Sequence, residues 1–212
     1  MTSRDSGTRT RKAPTERRQE IVRAAALVGL TEGLECITLR RVADGLGVQP
    51  GLVSHYFPAA DTLVAEAFTS ATRAELDGLL PEGPAGPGHE TPLSTLRRFF
   101  VLIAGTEFDN VSKLWLNARH LSRYRPVLRD HVVDQELLWC RRIEQLIAAG
   151  TGTRLFHCAN PWAAAVRILV AIDGSSAYIN TSAGARTDPI SDLARTVAER
   201  ELGLAPDTLA TL

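Results

Sequence analysis

Residues 38–57, TLRRVADGLGVQPGLVSHYF, constrain this chain more than any other stretch. Leu39, Val42, Ala43 and Leu46 recur at helical spacing, which gives a first short helix one buried face. Thr38 stands at its N-cap, where a hydroxyl accepts from an orphan backbone N–H. Gly47 stands where the chain must turn, because a left-handed backbone costs glycine little. Gln49 then precedes Pro50, and proline suits the first turn of a helix, where its missing N–H is not needed. The second helix spans only about two turns and ends in Tyr56–Phe57. Two short helices about a glycine turn, the second rich in small and polar residues, make a helix-turn-helix that can enter a DNA major groove.

The stretch from about Arg17 to Phe68 resembles the DNA-binding domain of the TetR family of transcriptional regulators. Ile21, Val22, Ala24 and Ala25, followed by Gly33, resemble that family's first helix and its stop. Thr38, Val42, Ala43, Gly47, Val48, Gly51, His55, Tyr56, Phe57 and Leu63 fall on its pattern. The string GLVSHYF is most similar to the BetI-like subgroup, and KLWLNARHL at 113–121 and AIDGSSAYINTSAG at 171–184 resemble it more weakly.

The resemblance implies that Pro50, Gly51, Leu52, Ser54 and His55 face the groove and that Tyr56, Thr38 and Gln49 contact phosphate. Gly51 allows close backbone approach and Leu52 suits a thymine methyl, while Ser54 and His55 donate or accept. Arg40 and Arg41, in the first turn of the first short helix, carry planar guanidinium forks that fit a guanine edge or a phosphate. Val53 and Phe57 are expected to face inward. One departure stands out: where the family has a phosphate-contacting lysine opening its fourth helix, this chain has Ala60, within Pro58–Ala59–Ala60.

Charge fits this reading only when its distribution is considered. The 212 residues carry 24 basic and 24 acidic side chains, a formal net charge of zero. Residues 1–23 hold seven basic groups against Asp5, Glu16 and Glu20, a local charge of +4. Phosphate attraction acts over roughly 8–10 Å, so the local patch decides. Residues 1–14 are expected to be a disordered basic arm, either solvated or adding phosphate and minor-groove contacts. That N-terminus has no apolar core of a secretory signal. No apolar run reads as a membrane span. Cys36, Cys140 and Cys158 are scattered and odd in number, without metal spacing, as expected of reduced thiols in a cytoplasmic protein.

The fold expected is all-α, with about nine helices: a helix-turn-helix domain over 15–60 and a helical bundle for ligand binding and dimerisation over 61–212. Helices are predicted near 15–32, 39–46, 50–56, 61–80, 93–103, 110–122, 126–150, 160–183 and from 188 onward. The Pro/Gly-rich segment PEGPAGPGHETP at 81–92 reads as a loop. Asn160–Pro161 and Asp188–Pro189 are cap-and-proline signals that open the last two helices.

The helix from 161 is apolar around much of its circumference, so it is buried on more than one side. A central core helix satisfies that. So does a helix packed partly on a second copy, as the resemblance implies, with Val166, Leu169, Ile190, Leu193 and Val197 in a four-helix interface. A two-fold dimer also doubles the few base contacts a short recognition helix makes, on a palindrome. A small-molecule effector is expected among the bundle helices. Candidate contacts are Trp115, Asn117, Arg119 and His120 on one helix and Asp173, Ser176, Tyr178 and Asn180 on another. Asp173 has two readings, a cation site or a partner of Arg119 or Arg167, because a buried carboxylate needs pairing. The BetI-like subgroup responds to choline, which aromatic faces hold. At the matching places this chain has Ala118, Arg119 and Ser176, so of that set only Trp115 remains.

These features favour a ligand-responsive repressor that binds a palindromic operator in double-stranded DNA. No phosphate loop, metal cluster or nucleophile–base set points to an enzyme or a cofactor. The alternative is a dimeric small-molecule sensor or interaction module with weak or lost DNA binding.

Overall fold

The computed structural model describes residues 13–82, 90–182 and 187–210. The basic arm and most of the Pro/Gly-rich loop lie outside these residues. The described residues form ten α-helices and two 3-10 turns, with no strand. The helices are α1 (Pro14–Glu32), α2 (Leu39–Leu46), α3 (Pro50–Tyr56), α4 (Ala60–Leu79), α5 (Pro92–Ala104), α6 (Asp109–Ser122), α7 (Pro126–Gly152), α8 (Pro161–Thr181), α9 (Asp188–Ser191) and α10 (Leu193–Glu201). One helix was expected after Asp188. The chain instead breaks at Asp192, so the count is ten and not nine.

α1 packs on α4, and Ile21, Ala25, Leu63 and Phe68 are fully buried in the N-terminal core. α4 continues into the bundle against α7, which packs on α8, which packs on α10. The α4–α7 seam is partly polar. Thr69 hydrogen-bonds His131, and the Thr72 hydroxyl donates to Gln135 at 3.3 Å. Arg142 closes the far end, donating to the Leu80 carbonyl, where the last carbonyls of α4 lack helical partners. Buried Glu199 ties down the C-terminal segment by accepting from the backbone N–H groups of Asp207 and Leu209, which buries Leu209.

α8 is long and apolar enough, by length and composition, to cross a membrane, contrary to the expectation that no segment would be. It packs against α6, α7 and α10, and it carries Asp173 in an ion pair.

At the end of α7 the Phe156 ring lies on Gly150, and a Cβ there would sit 2.2 Å from two ring carbons. Phe156 is itself buried, so the ring has nowhere to retreat. Gly150→Ala is expected to cost about 1–3 kcal/mol through overpacking, measured by denaturant unfolding.

Candidate functional site

The N-terminal surface is built from local rules. The Thr38 side chain accepts from the Arg41 N–H at 3.0 Å and caps α2. Gly47 adopts φ 63°, ψ 36°, and its N–H returns to the end of α2. Pro50 opens α3. Inside, Val53 and Phe57 are buried to within 1% and seat α3 on the domain. The Arg18 guanidinium covers the Phe57 ring at 4.7 Å from its centroid.

What remains outside is a row of exposed groups: Thr38, Arg40, Gln49, Pro50, Gly51, Ser54 and His55, with Leu52 and Tyr56 half-buried beside them. The two arginines differ. Arg40 is 86% exposed and reaches Asp44 only at 4.0 Å, so it is free to turn outward. Arg41 is held by both carboxylate oxygens of Glu32 on α1. That pairing fixes its guanidinium across α1 and α2, and it holds the Glu32 carboxyl below its ordinary range. A Cβ at Gly51 would meet nothing within 4 Å, so the fold itself does not require glycine there.

The bundle contains two adjoining cavities. The smaller, about 20 Å³, is lined by Trp115, Leu116, Arg119, Trp139, Leu169 and Asp173, among others. The larger, about 160 Å³, lies between α5, α6, α8 and the C-terminal segment. Phe108, Ser112, Ile172 and Ser176 line both.

Arg119 lines the smaller cavity. Its Nε donates to Glu136 at 2.8 Å and its terminal nitrogen to Asp173 at 2.7 Å. Its guanidinium carbon lies 4.9 Å from the centroid of the Trp115 ring system, within cation–π range. Asp173 is nevertheless pushed up to about 6, because burial outweighs the pull of Arg119. Trp139, 4% exposed, has a buried indole N–H without an acceptor among the described residues. An acceptor atom on a ligand would be stabilised there.

The predicted ligand set therefore divides. Trp115, Arg119, Asp173 and Ser176 come together at the cavity. Asn117 does not line either cavity: its side-chain oxygen accepts from the Leu34 backbone N–H at 2.7 Å, tying α6 to the turn before α2. His120 stacks edge-on with Tyr124, away from both cavities. Asn180 donates to Ser112, and Tyr178 is 66% exposed.

The expected dimer face divides as well. Leu169 lines the smaller cavity, and Val197 packs against the core. Ile190 and Val166 are half-buried. The exposed apolar groups on this side are Trp162, Val170, Tyr178 and Leu193. Val170, one residue beyond Leu169, is rotated about 100° around α8 and so faces out.

Trp139, Glu136 and Phe108 were not among the sequence candidates. Neither was Glu75 on α4, whose two carboxylate oxygens are buried without a hydrogen-bond partner among the described residues.

The whole-chain comparison decides the fold. A protein from Rhodococcus described as a TetR-family transcriptional regulator superposes with a TM-score of 0.71 at 22% identity, covering 86% of this chain and 97% of that one. A TetR transcription regulator from Haloarcula marismortui gives 0.71 at 17% identity, over 89% and 97%. The chain has the fold of the TetR-family regulators. A transcriptional regulator from Saccharomonospora viridis, determined in complex with choline, shares this TetR fold with a TM-score of 0.69 at 19% identity, over 87% and 95%. No protein-family model and no curated protein matches the chain. Among the described residues no group of His, Cys, Asp and Glu is placed to hold a metal.

Burial raises the Glu75 carboxyl from 4.5 to about 8, with the Trp115 side chain opposing the shift without a hydrogen bond of ordinary length. The folded state thus binds a proton that the unfolded chain releases near 4.5. The stability this proton provides is complete below about pH 4.5 and is lost as the pH rises through about 8. Glu75→Gln, which keeps the neutral shape, should gain on the wild type across that window by up to about 5 kcal/mol. Melting temperatures of the two proteins at pH 5 and pH 9 check this: the gap widens toward pH 9.

Proposed function

We propose that this protein is a sequence-specific DNA-binding transcriptional regulator. It acts as a dimeric repressor released from a palindromic operator by a small-molecule effector. The observation that carries the reading is the exposed row on α2 and α3, with Arg40 free and Gly51 unobstructed, over a recognition helix anchored by Val53 and Phe57. Such a row offers donors and close backbone approach in the groove. The BetI-like assignment rests on GLVSHYF and the two C-terminal strings. A cytoplasmic location follows from the same reading.

In this reading Arg40 reads a base, while Arg41, held by Glu32, positions α2 and touches phosphate at most. Thr38, Gln49 and Tyr56 contact phosphate, and Pro50, Gly51, Leu52, Ser54 and His55 line the groove. The dimer forms through α8 and the α9–α10 segment, with Val166, Val170, Tyr178, Ile190 and Leu193 at the contact.

The founding experiment selects duplexes from a random pool with the purified protein and measures their affinity across a salt series. A palindrome and a steep salt slope are expected. Binding with neither preference nor slope favours the sensor module that has lost DNA binding.

Arg40→Ala should cost about 1–3 kcal/mol and relax preference at one base step. A uniform loss across sequences would make Arg40 a phosphate contact. Gly51→Ala should leave the melting temperature unchanged or raise it, since alanine favours a helix by about 1 kcal/mol, yet weaken operator binding. Retained affinity would show that no DNA backbone approaches there.

Leu193→Asp places a charge on the proposed interface and should shift the protein toward monomer in sedimentation. A wild type that sediments as a monomer at micromolar concentration would remove the dimer from the model of function.

A further inference from the structure

The wall of the smaller cavity already presents a cation, supplied by the chain itself. Arg119 lies with its guanidinium carbon over the Trp115 ring and two N–H donors on two carboxylates from different helices, Glu136 on α7 and Asp173 on α8. This arrangement has a net charge. Two carboxylates face one guanidinium, so an added anion meets repulsion and an added cation meets attraction.

Size sets the rest of the ligand. The chamber holds about 160 Å³ behind Phe108 and Ile172. A sealed apolar cavity of about 150 Å³ accepts a benzene-sized group; this chamber is of that order in size, but it is partly open and its walls mix Phe100, Ile172 and Leu209 with Ser112, Ser175 and Asp192. The shared lining residues place the mouth of this chamber directly beside the Arg119 site.

We propose that the cavity takes an organic cation with N–H donors and a compact apolar body, its head replacing the Arg119 guanidinium between Trp115 and Asp173. The proposal rests on the reading of the bundle as the effector domain. Arg119 can leave without losing its charge partner. Its side chain is 28% exposed and that of Glu136 is 37% exposed, so the pair can persist at the rim while Asp173 is handed to the ligand. Burial of the apolar body in the chamber offsets the contacts Arg119 gives up. The planar fork matters, because it makes two aimed hydrogen bonds where a quaternary ammonium makes none. With a cation against it, as Arg119 is here, Asp173 lies at about 6 and is ionised at neutral pH and above.

The test uses the full chain, without DNA, at pH 8. Calorimetric titration compares three probes with one body: benzamidine, benzyltrimethylammonium and benzoate. Benzamidine is expected to bind at least tenfold tighter than either of the others. Asp173→Asn should weaken it at least tenfold, and Arg119→Ala should tighten it severalfold by removing the competitor. Where Arg119→Ala does not fold, Arg119→Gln takes its place. Equal or stronger binding of benzoate overturns the charge assignment. Equal binding of benzyltrimethylammonium overturns the requirement for N–H donors. Benzamidine bound with unchanged affinity by Asp173→Asn, bound by the Arg119 variant alone, or not bound at 10 mM overturns the site. Release of selected operator DNA is measured separately. Tight binding without release leaves the site standing and removes its effector role; release that does not depend on Asp173 removes the site.

Discussion

The structure depends on one junction, where α6 of the bundle meets the turn that precedes the helix-turn-helix. Leu114 packs close to Gly29, so close that a Cβ on that glycine would lie 3.4 Å from it and 3.2 Å from Leu34. Three residues on, Asn117 accepts from the Leu34 N–H. Leu34 is fully buried, and an unpaired backbone donor there would cost about 1–3 kcal/mol. One side chain of the bundle thus satisfies a buried backbone group of the N-terminal helical unit. On the next face of the same helix, Trp115 stands edge-on to Phe68 of α4 at 4.9 Å between centroids. The two halves are therefore held by α6 as well as by the continuous α4.

Charge is arranged to match. The chain is neutral overall, yet its N-terminal region is basic, and several of those arginines are committed to holding that region together. Arg18 lies on Phe57 and pairs with Glu66, while Arg41 pairs with Glu32. Arg40 is left over, on the surface and hardly paired. In a salt solution an exposed pair contributes little to stability. The Glu32 clamp on Arg41 therefore matters for where a guanidinium points more than for how firmly the domain folds.

Local features were legible in the sequence and distant ones were not. Thr38, Gly47 and Pro50 place α2 and α3 to the residue, because cap, left-handed turn and first-turn proline each act within four residues. The inward and outward faces of α3 follow from the same spacing. The role of Asn117 was hidden because its partner lies 83 residues away and is a backbone N–H with no sequence signature. Trp139 was hidden inside a 27-residue helix buried on several sides, where an aromatic residue reads as core. The break at Asp192 carries neither proline nor glycine. The faces of α8 were blurred because Leu169 and Val170 are equally apolar, and only packing separates the one at the cavity from the one in solvent.

α6 carries every element that a coupled response would need. Trp115 and Arg119 face the cavity and Asn117 faces the turn before α2, all within two turns of one helix. A rigid helix transmits displacement along its length because packed interiors resist gradual deformation. Any ligand that repacks Trp115 or Arg119 thus acts on the helix that satisfies Leu34. Under the proposed regulator reading, its effect on DNA affinity is limited by how differently it binds the two arrangements, and linkage requires that DNA alter ligand affinity by the same factor. On α4 the Glu75 carboxyl is kept neutral at pH 7 by burial and lies beside Trp115, an aromatic of the cavity lining. A buried polar group without a partner costs stability, so any state that hydrates or pairs Glu75 recovers that cost.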